Sequence, residues 1–140
     1  IIPEPDTFNT DDHSILNNFS KNLAKLRQDI DEQKLNSYID FIVNALFDAN
    51  KYFNDQEPWK KKDDKKRLNT IIYVSLELIR KISILLYPII PTTSIKSLSI
   101  FNITENKISF ESINNHKYLI SNSKISKIDI LFKKIVKNND

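Results

Sequence analysis

The stretch Asn50-Lys51-Tyr52-Phe53-Asn54-Asp55-Gln56-Glu57-Pro58-Trp59 puts the chain's single tryptophan directly after a proline. Lys60, Lys61 and Lys62 follow at once, with Lys65, Lys66 and Arg67 a turn further on. Proline cannot continue a helix simply, so Trp59 falls at a break between helical segments. An indole plane held at such a break beside positive charge suits an unstacked nucleic-acid base, with the basic side chains as candidate phosphate contacts. Plainer readings stand beside this one. Trp59 could be a half-buried packing residue at a helix junction. The basic run, interrupted by Asp63 and Asp64, could be the solvated start of the next helix. Asn50 and Tyr52 either contact RNA or organise the end of their helix.

Other chemistry is sparse. Asp11-Asp12-His13 offers metal-ligating residue types, but neighbours at a helix start seldom converge on one ion and His116 is remote, so no metal site is expected. The chain has no glycine, which excludes a phosphate-cradling loop, a nucleophile elbow and a dinucleotide fingerprint. It has no cysteine, which excludes disulfides and thiolate metal sites. No Ser/His/Asp set or paired carboxylates stand out, and scattered acids on amphipathic helices usually face solvent. No catalytic residue is expected in this chain.

The elements that must position Trp59 are legible from apolar spacing. Ile1 to Asn9, with Pro3 and Pro5, reads as an extended lead-in, and Thr10 or Asp11 as the cap of a helix. Ile15, Leu16, Phe19, Leu23, Leu26 and Ile30 form one face of that helix, which ends near Glu32. A second stripe, Leu35, Tyr38, Ile39, Ile42, Ala45, Leu46, Ala49, Tyr52 and Phe53, stops at Asn54-Asp55. A third helix starts near Asp64 and carries Leu68, Ile71, Ile72, Ser75, Leu78, Ile79, Ile82, Leu85 and Leu86. Val74, Leu76 and Ile84 widen its apolar surface, which predicts a central helix buried on more than one side. Pro88 and Pro91 close it. A short helix from Thr92 or Thr93 to about Phe101 turns Ile95, Leu98 and Phe101 inward. Beyond Asn102, Phe110 and Ile113 share one helical turn, and the tail from Tyr118 through Phe132 reads as extended chain or a hairpin. The expected fold is all-α, an antiparallel bundle of three long helices and a short one with an irregular C-terminal tail.

Composition bounds the rest. At 140 residues, 40% hydrophobic and 28% charged, the chain is one globular domain with a real core. The lead-in spans 1–10, the bundle 11–101 and the C-terminal extension 102–140. No apolar run could span a bilayer and no signal peptide is evident, so no membrane partner is expected and a cytoplasmic location is. The net charge of +3 comes from lysine almost throughout, only Arg27, Arg67 and Arg80 being arginines. Lysine attracts phosphate as a point charge, so any nucleic-acid affinity should be modest and salt-sensitive. The lack of methionine predicts that the chain is a piece of a longer protein.

The block from Asp48-Ala49-Asn50-Lys51-Tyr52-Phe53 through Gln56-Glu57-Pro58-Trp59 resembles the anticodon-binding domain of methionyl-tRNA synthetase, a class I aminoacyl-tRNA synthetase. Tyr73-Val74-Ser75-Leu76-Glu77 to Leu86-Tyr87-Pro88-Ile89-Ile90-Pro91 is similar to the family's next helix and its proline-bounded exit. Leu131-Phe132-Lys133-Lys134-Ile135 resembles a stretch near the end of the family's core. Lys61 stands where an aliphatic residue is common, Lys133 where proline is usual, and the loop is one residue shorter.

The resemblance implies that Trp59 stacks on an anticodon base and that Pro58 fixes its approach. It places the family's base-reading Asn and Arg on a preceding helix that this chain does not include, and catalysis in an absent nucleotide-binding domain. Lys124-Ile125-Ser126-Lys127 looks like the family's lysine-rich catalytic loop but stands at the wrong end of the chain. The implied partners are a methionine-specific tRNA and the catalytic domain of the same polypeptide. No cofactor is implied for this segment, while ATP and Mg2+ would serve the parent enzyme. The alternatives are the equivalent domain of a synthetase for cysteine, leucine, isoleucine or valine, or a helical protein-interaction module with no RNA role and an exposed apolar groove.

Overall fold

Helix α1 (Thr10–Asp31) is capped one residue before the expected position, by Asn9. Asn9 Oδ1 accepts from the Asp12 N–H at 3.0 Å and Asp12 Oδ2 accepts from the Asn9 N–H at 3.0 Å. This reciprocal capping box satisfies two donors that a helix start otherwise leaves open. The structure is a computed structural model, and it describes residues 2–104, 108–109 and 111–114. The expectations for Phe110, for the tail from Tyr118 through Phe132 and for Leu131 to Ile135 lie outside the described residues.

Helix α2 (Leu35–Gln56) follows, one to two residues longer than its apolar stripe predicts, then a 3-10 turn at Pro58–Lys60. Helix α3 (Lys65–Leu86) starts at the expected cap, where Asp64 Oδ1 accepts from the Arg67 N–H at 3.1 Å. Helix α4 (Pro91–Ser99) begins earlier than Thr92, because Pro91 has no N–H to lose and is pre-set for the first helical position. It ends before Phe101, whose ring is buried beyond the helix together with Ile103. A further 3-10 turn, Glu111–Asn114, buries Ile113.

The three long helices form the expected all-α bundle, and α3 packs against α1, α2 and α4. Its branched residues Ile71, Val74, Ile82 and Ile84 are all buried, so burial rather than intrinsic propensity holds it helical. Tyr38 of α2 donates its hydroxyl to the Leu85 carbonyl, one of the open acceptors at the end of α3. Residues 2–9 are not helical, Thr10 already belongs to α1, and the segment is anchored. Ile2 is fully buried, and the Asp6 N–H donates to Thr70 Oγ1 at 2.8 Å.

The α2 stripe divides. Tyr38, Ile42, Ala45 and Tyr52 enter the core, whereas Leu35, Ile39, Leu46 and Phe53 are exposed together with Val43 and Phe47. The apolar surface of α2 is wider than what α1 and α3 cover, and one flank faces solvent. There Leu46, Phe53, Leu78, Ile79 and Ile82 line an open groove between α2 and α3 of about 270 Å³.

Charge is also buried. Glu77, Arg80 and Lys81 of α3 are almost inaccessible, with Arg80 donating to Glu77 at 2.8 and 3.1 Å. Arg80 reaches the carbonyls of Ser112 and Ile113 at 2.7 and 2.9 Å, and Lys81 also donates to Ile113. The cations of α3 thus grip the Glu111–Asn114 turn.

Candidate nucleic-acid interface

The turn that carries Trp59 is built without glycine. Helix α2 is ended by Glu57 in the left-handed region, at φ 48°, a conformation that costs an ordinary residue roughly 1–2 kcal/mol. Pro58 is buried beneath the turn, which is closed by Lys60 N–H to Glu57 O at 2.9 Å and Lys61 N–H to Pro58 O at 3.1 Å. Trp59 is left 53% exposed. Its ring meets that of Phe53 at a centroid distance of 6.3 Å and a tilt of 57°, so the indole has an aromatic neighbour. This exposure is compatible both with a stacking platform and with a half-buried packing residue at a helix junction.

The basic residues separate into groups. Lys60 pairs with Glu57 at 3.1 Å, both side chains well exposed, a contact of little energy. Lys62, Lys65 and Lys66 are exposed and Lys61 is partly covered, and among the described residues these four have no carboxylate partner. They leave a field of positive charge around the turn.

Arg67 departs from the expected phosphate set. Its Nη1 lies 2.6 Å from Asp12 Oδ2, and Nη2 lies 3.0 Å from Asp12 Oδ1 and 2.6 Å from Gln56 Oε1. Three of its donors are thereby committed to a fully buried carboxylate and a side-chain amide, which leaves less of the guanidinium for a phosphate. Burial acts to raise the Asp12 carboxyl, but the hydrogen bonds from Arg67, Tyr52 and the Asn9 N–H outweigh it and hold it below its ordinary 3.8. The bond to Asp12 raises Arg67 in turn.

The same contacts bear on Tyr52, whose role the sequence left open. Tyr52 is buried and donates its hydroxyl to Asp12, so it organises the helix end. Asp11, Asp12 and His13 do not converge: Asp11 accepts from Gln56 Nε2 at 3.2 Å, Asp12 serves Arg67, and the His13 ring packs edge-on against Phe8. Among the described residues no group of three or more His, Cys, Asp or Glu could hold a metal ion. Also among them, no helix is long and apolar enough to cross a membrane.

Two residues of the site escaped the sequence. Phe53 reads as core from its spacing, yet stands exposed against Trp59. Asp12 reads only as one of the acids at a helix start, although the pattern Asn9-x-x-Asp12 carries the signal of a capping box.

A family model for the anticodon-binding domain of methionyl tRNA ligase matches residues 2–140. The methionine–tRNA ligase of Brucella suis is 33% identical over 113 residues, spanning 80% of this chain and 22% of that protein. A probable mitochondrial methionine–tRNA ligase of Dictyostelium discoideum is 34% identical over 145 residues, 95% of this chain and 25% of that one. The fold is similar to that of apo methionyl-tRNA synthetase from Mycobacterium tuberculosis, with a TM-score of 0.87, 26% identity, and coverage of 98% of this chain and 28% of that one. A further structure of the M. tuberculosis enzyme is bound by methionyl-adenylate. This chain spans roughly a quarter of the length of these relatives.

Proposed function

This chain belongs to the family of methionyl-tRNA ligase anticodon-binding domains, and from that premise we propose that it holds the anticodon loop of a methionine-specific tRNA. Trp59 is the platform on which an unpaired base stacks, and buried Pro58 sets its approach. Lys60, Lys61, Lys62, Lys65 and Lys66 draw in the phosphates, and Arg67 serves the fold. The longer protein would couple methionine to its tRNA, with ATP and Mg2+ bound by a catalytic domain elsewhere in the polypeptide. The chain has no glycine to cradle a phosphate chain, so none of that chemistry is assigned to its residues. Its part is positional: the loop is held so that the distant acceptor end meets the active site.

The observation that supports this reading most is the half-exposed indole beside its buried proline, followed by four lysines, Lys61, Lys62, Lys65 and Lys66, that have no carboxylate partner among the described residues. The groove between α2 and α3, with exposed Phe47 nearby, favours a second contact, to the rest of the same polypeptide. The compartment is one in which protein is synthesised. The sequence points to the cytoplasm, and one relative is named mitochondrial.

Titration with a methionine-tRNA anticodon stem-loop tests the proposal. Stacking of one base is worth roughly 1–3 kcal/mol, so Trp59→Ala should weaken binding about tenfold to a hundredfold. Equal affinity of wild type and variant would remove Trp59 as the platform and leave a nonspecific phosphate surface.

A further inference from the structure

Beneath the Trp59 turn, three helices meet at one carboxylate. Asp12 of α1 is fully buried, and both its oxygens are taken. Oδ1 accepts from the Tyr52 hydroxyl and from Arg67 Nη2, and Oδ2 accepts from Arg67 Nη1 and the Asn9 N–H. Those four donors fill the sites an ionised carboxylate offers. Arg67 then passes the connection on, since Nη2 also donates to Gln56 Oε1 at 2.6 Å. Gln56 is the last residue of α2, and Arg67 lies in the first turn of α3. The segment 57–64 between them carries Trp59, so the guanidinium closes the base of the loop.

Chemistry explains why these residue types stand here. A planar fork can bind two carboxylate oxygens and a side-chain amide together, whereas an ammonium cannot reproduce that geometry. Asparagine at 12 would turn an NH2 group toward donors that need an acceptor.

We infer that Asp12 and Arg67 are positioning residues for Trp59: their bidentate pair, relayed to Gln56, fixes the end of α2 against the start of α3 and so presents the indole in its binding pose. A turn ordered in advance loses less freedom when RNA binds. The effect on RNA rests on Trp59 being the platform, whereas the ordering of the turn does not.

Trp59 is the chain's single tryptophan, so its fluorescence reports this turn alone. Time-resolved anisotropy and acrylamide quenching are measured on wild type, Asp12→Asn, Arg67→Lys and Gln56→Ala, well below each melting temperature, with helix content followed by circular dichroism. The expected result is faster indole motion and stronger quenching in all three variants at unchanged helix content. Stem-loop affinity should fall about three- to tenfold, with the salt dependence unchanged because the lysines remain. Indole motion and quenching equal to wild type in the folded variants would overturn the inference, even if the melting temperature had dropped. If Asp12→Asn does not fold, Arg67→Lys and Gln56→Ala decide by the same readout. A mobilised indole with unaltered stem-loop affinity would leave the positioning intact and reject the platform reading instead.

Discussion

At Trp59 the decisive quantity is open ring. Phe53 lies against the indole, Pro58, the residue before it, is buried, and about half of Trp59 is exposed. Stacking tolerates any base, so in the proposed role Trp59 would contribute affinity more than choice. The lysines would act by another mechanism, release of counterions from the phosphates. Each lysine that meets a phosphate of a single strand should reduce the slope of log K against log salt by about 0.7 when replaced by alanine. Lys62→Ala and Lys65→Ala, measured by titration across a salt series, should show that reduction with little change in the preference between loops. Slopes unchanged from wild type would return these lysines to the role of a solvated helix start. The residue types at this site were legible from Pro58-Trp59 and the run behind them. Arg67 was not, because sequence shows a cation among cations and cannot show the buried Asp12, 55 positions away, that claims it.

Among the elements, α3 has the most to reconcile, being central and yet carrying Glu77, Arg80 and Lys81 into the interior. The apolar period located all four helices within a few residues. It was silent about those charges, since charged residues on an amphipathic helix ordinarily mark its wet face. The α2 stripe misled in the opposite sense: Leu46 and Phe53 are as apolar as Ile42, and no local pattern tells which flank a neighbour will cover. Removing one partner of a buried ionic set leaves uncompensated charge, so Glu77→Gln should destabilise the domain by about 3–5 kcal/mol in urea denaturation. Lys81 behaves differently. Burial depresses its pKa to about 8, from an ordinary 10.5. Between those values the folded chain has released the proton while the unfolded chain still holds it, so stability should rise with pH from about 8 toward 10. Above that, burial holds the Tyr38 and Tyr52 phenols protonated past their ordinary 10.0, the unfolded chain ionises first, and stability should fall. Lys81→Met should abolish the rise and keep the fall. A rise that persists in the variant would place its source elsewhere.

At the scale of the molecule, the described helices form a frame that holds Trp59, with Phe53 against it, at the junction of α2 and α3. The lead-in is pinned by Ile2 and Asp6, and the Glu111–Asn114 turn is gripped by α3. The 57–64 segment is closed by Arg67. Family membership was legible in the spacing of Asn50, Tyr52, Pro58 and Trp59 with the proline-bounded exit of α3. The exposed flank of α2 was not, because it depends on what lies beside the bundle rather than on the helix itself. The central claim is that the indole stacks on a base of the anticodon loop. It is tested most directly by following Trp59 fluorescence while the wild-type chain is titrated with a methionine-tRNA anticodon stem-loop, in parallel with a loop whose anticodon bases are removed. Saturable quenching and loss of acrylamide access are expected with the intact loop, and neither with the abasic one. Binding of the intact loop with an unperturbed indole would contradict the claim.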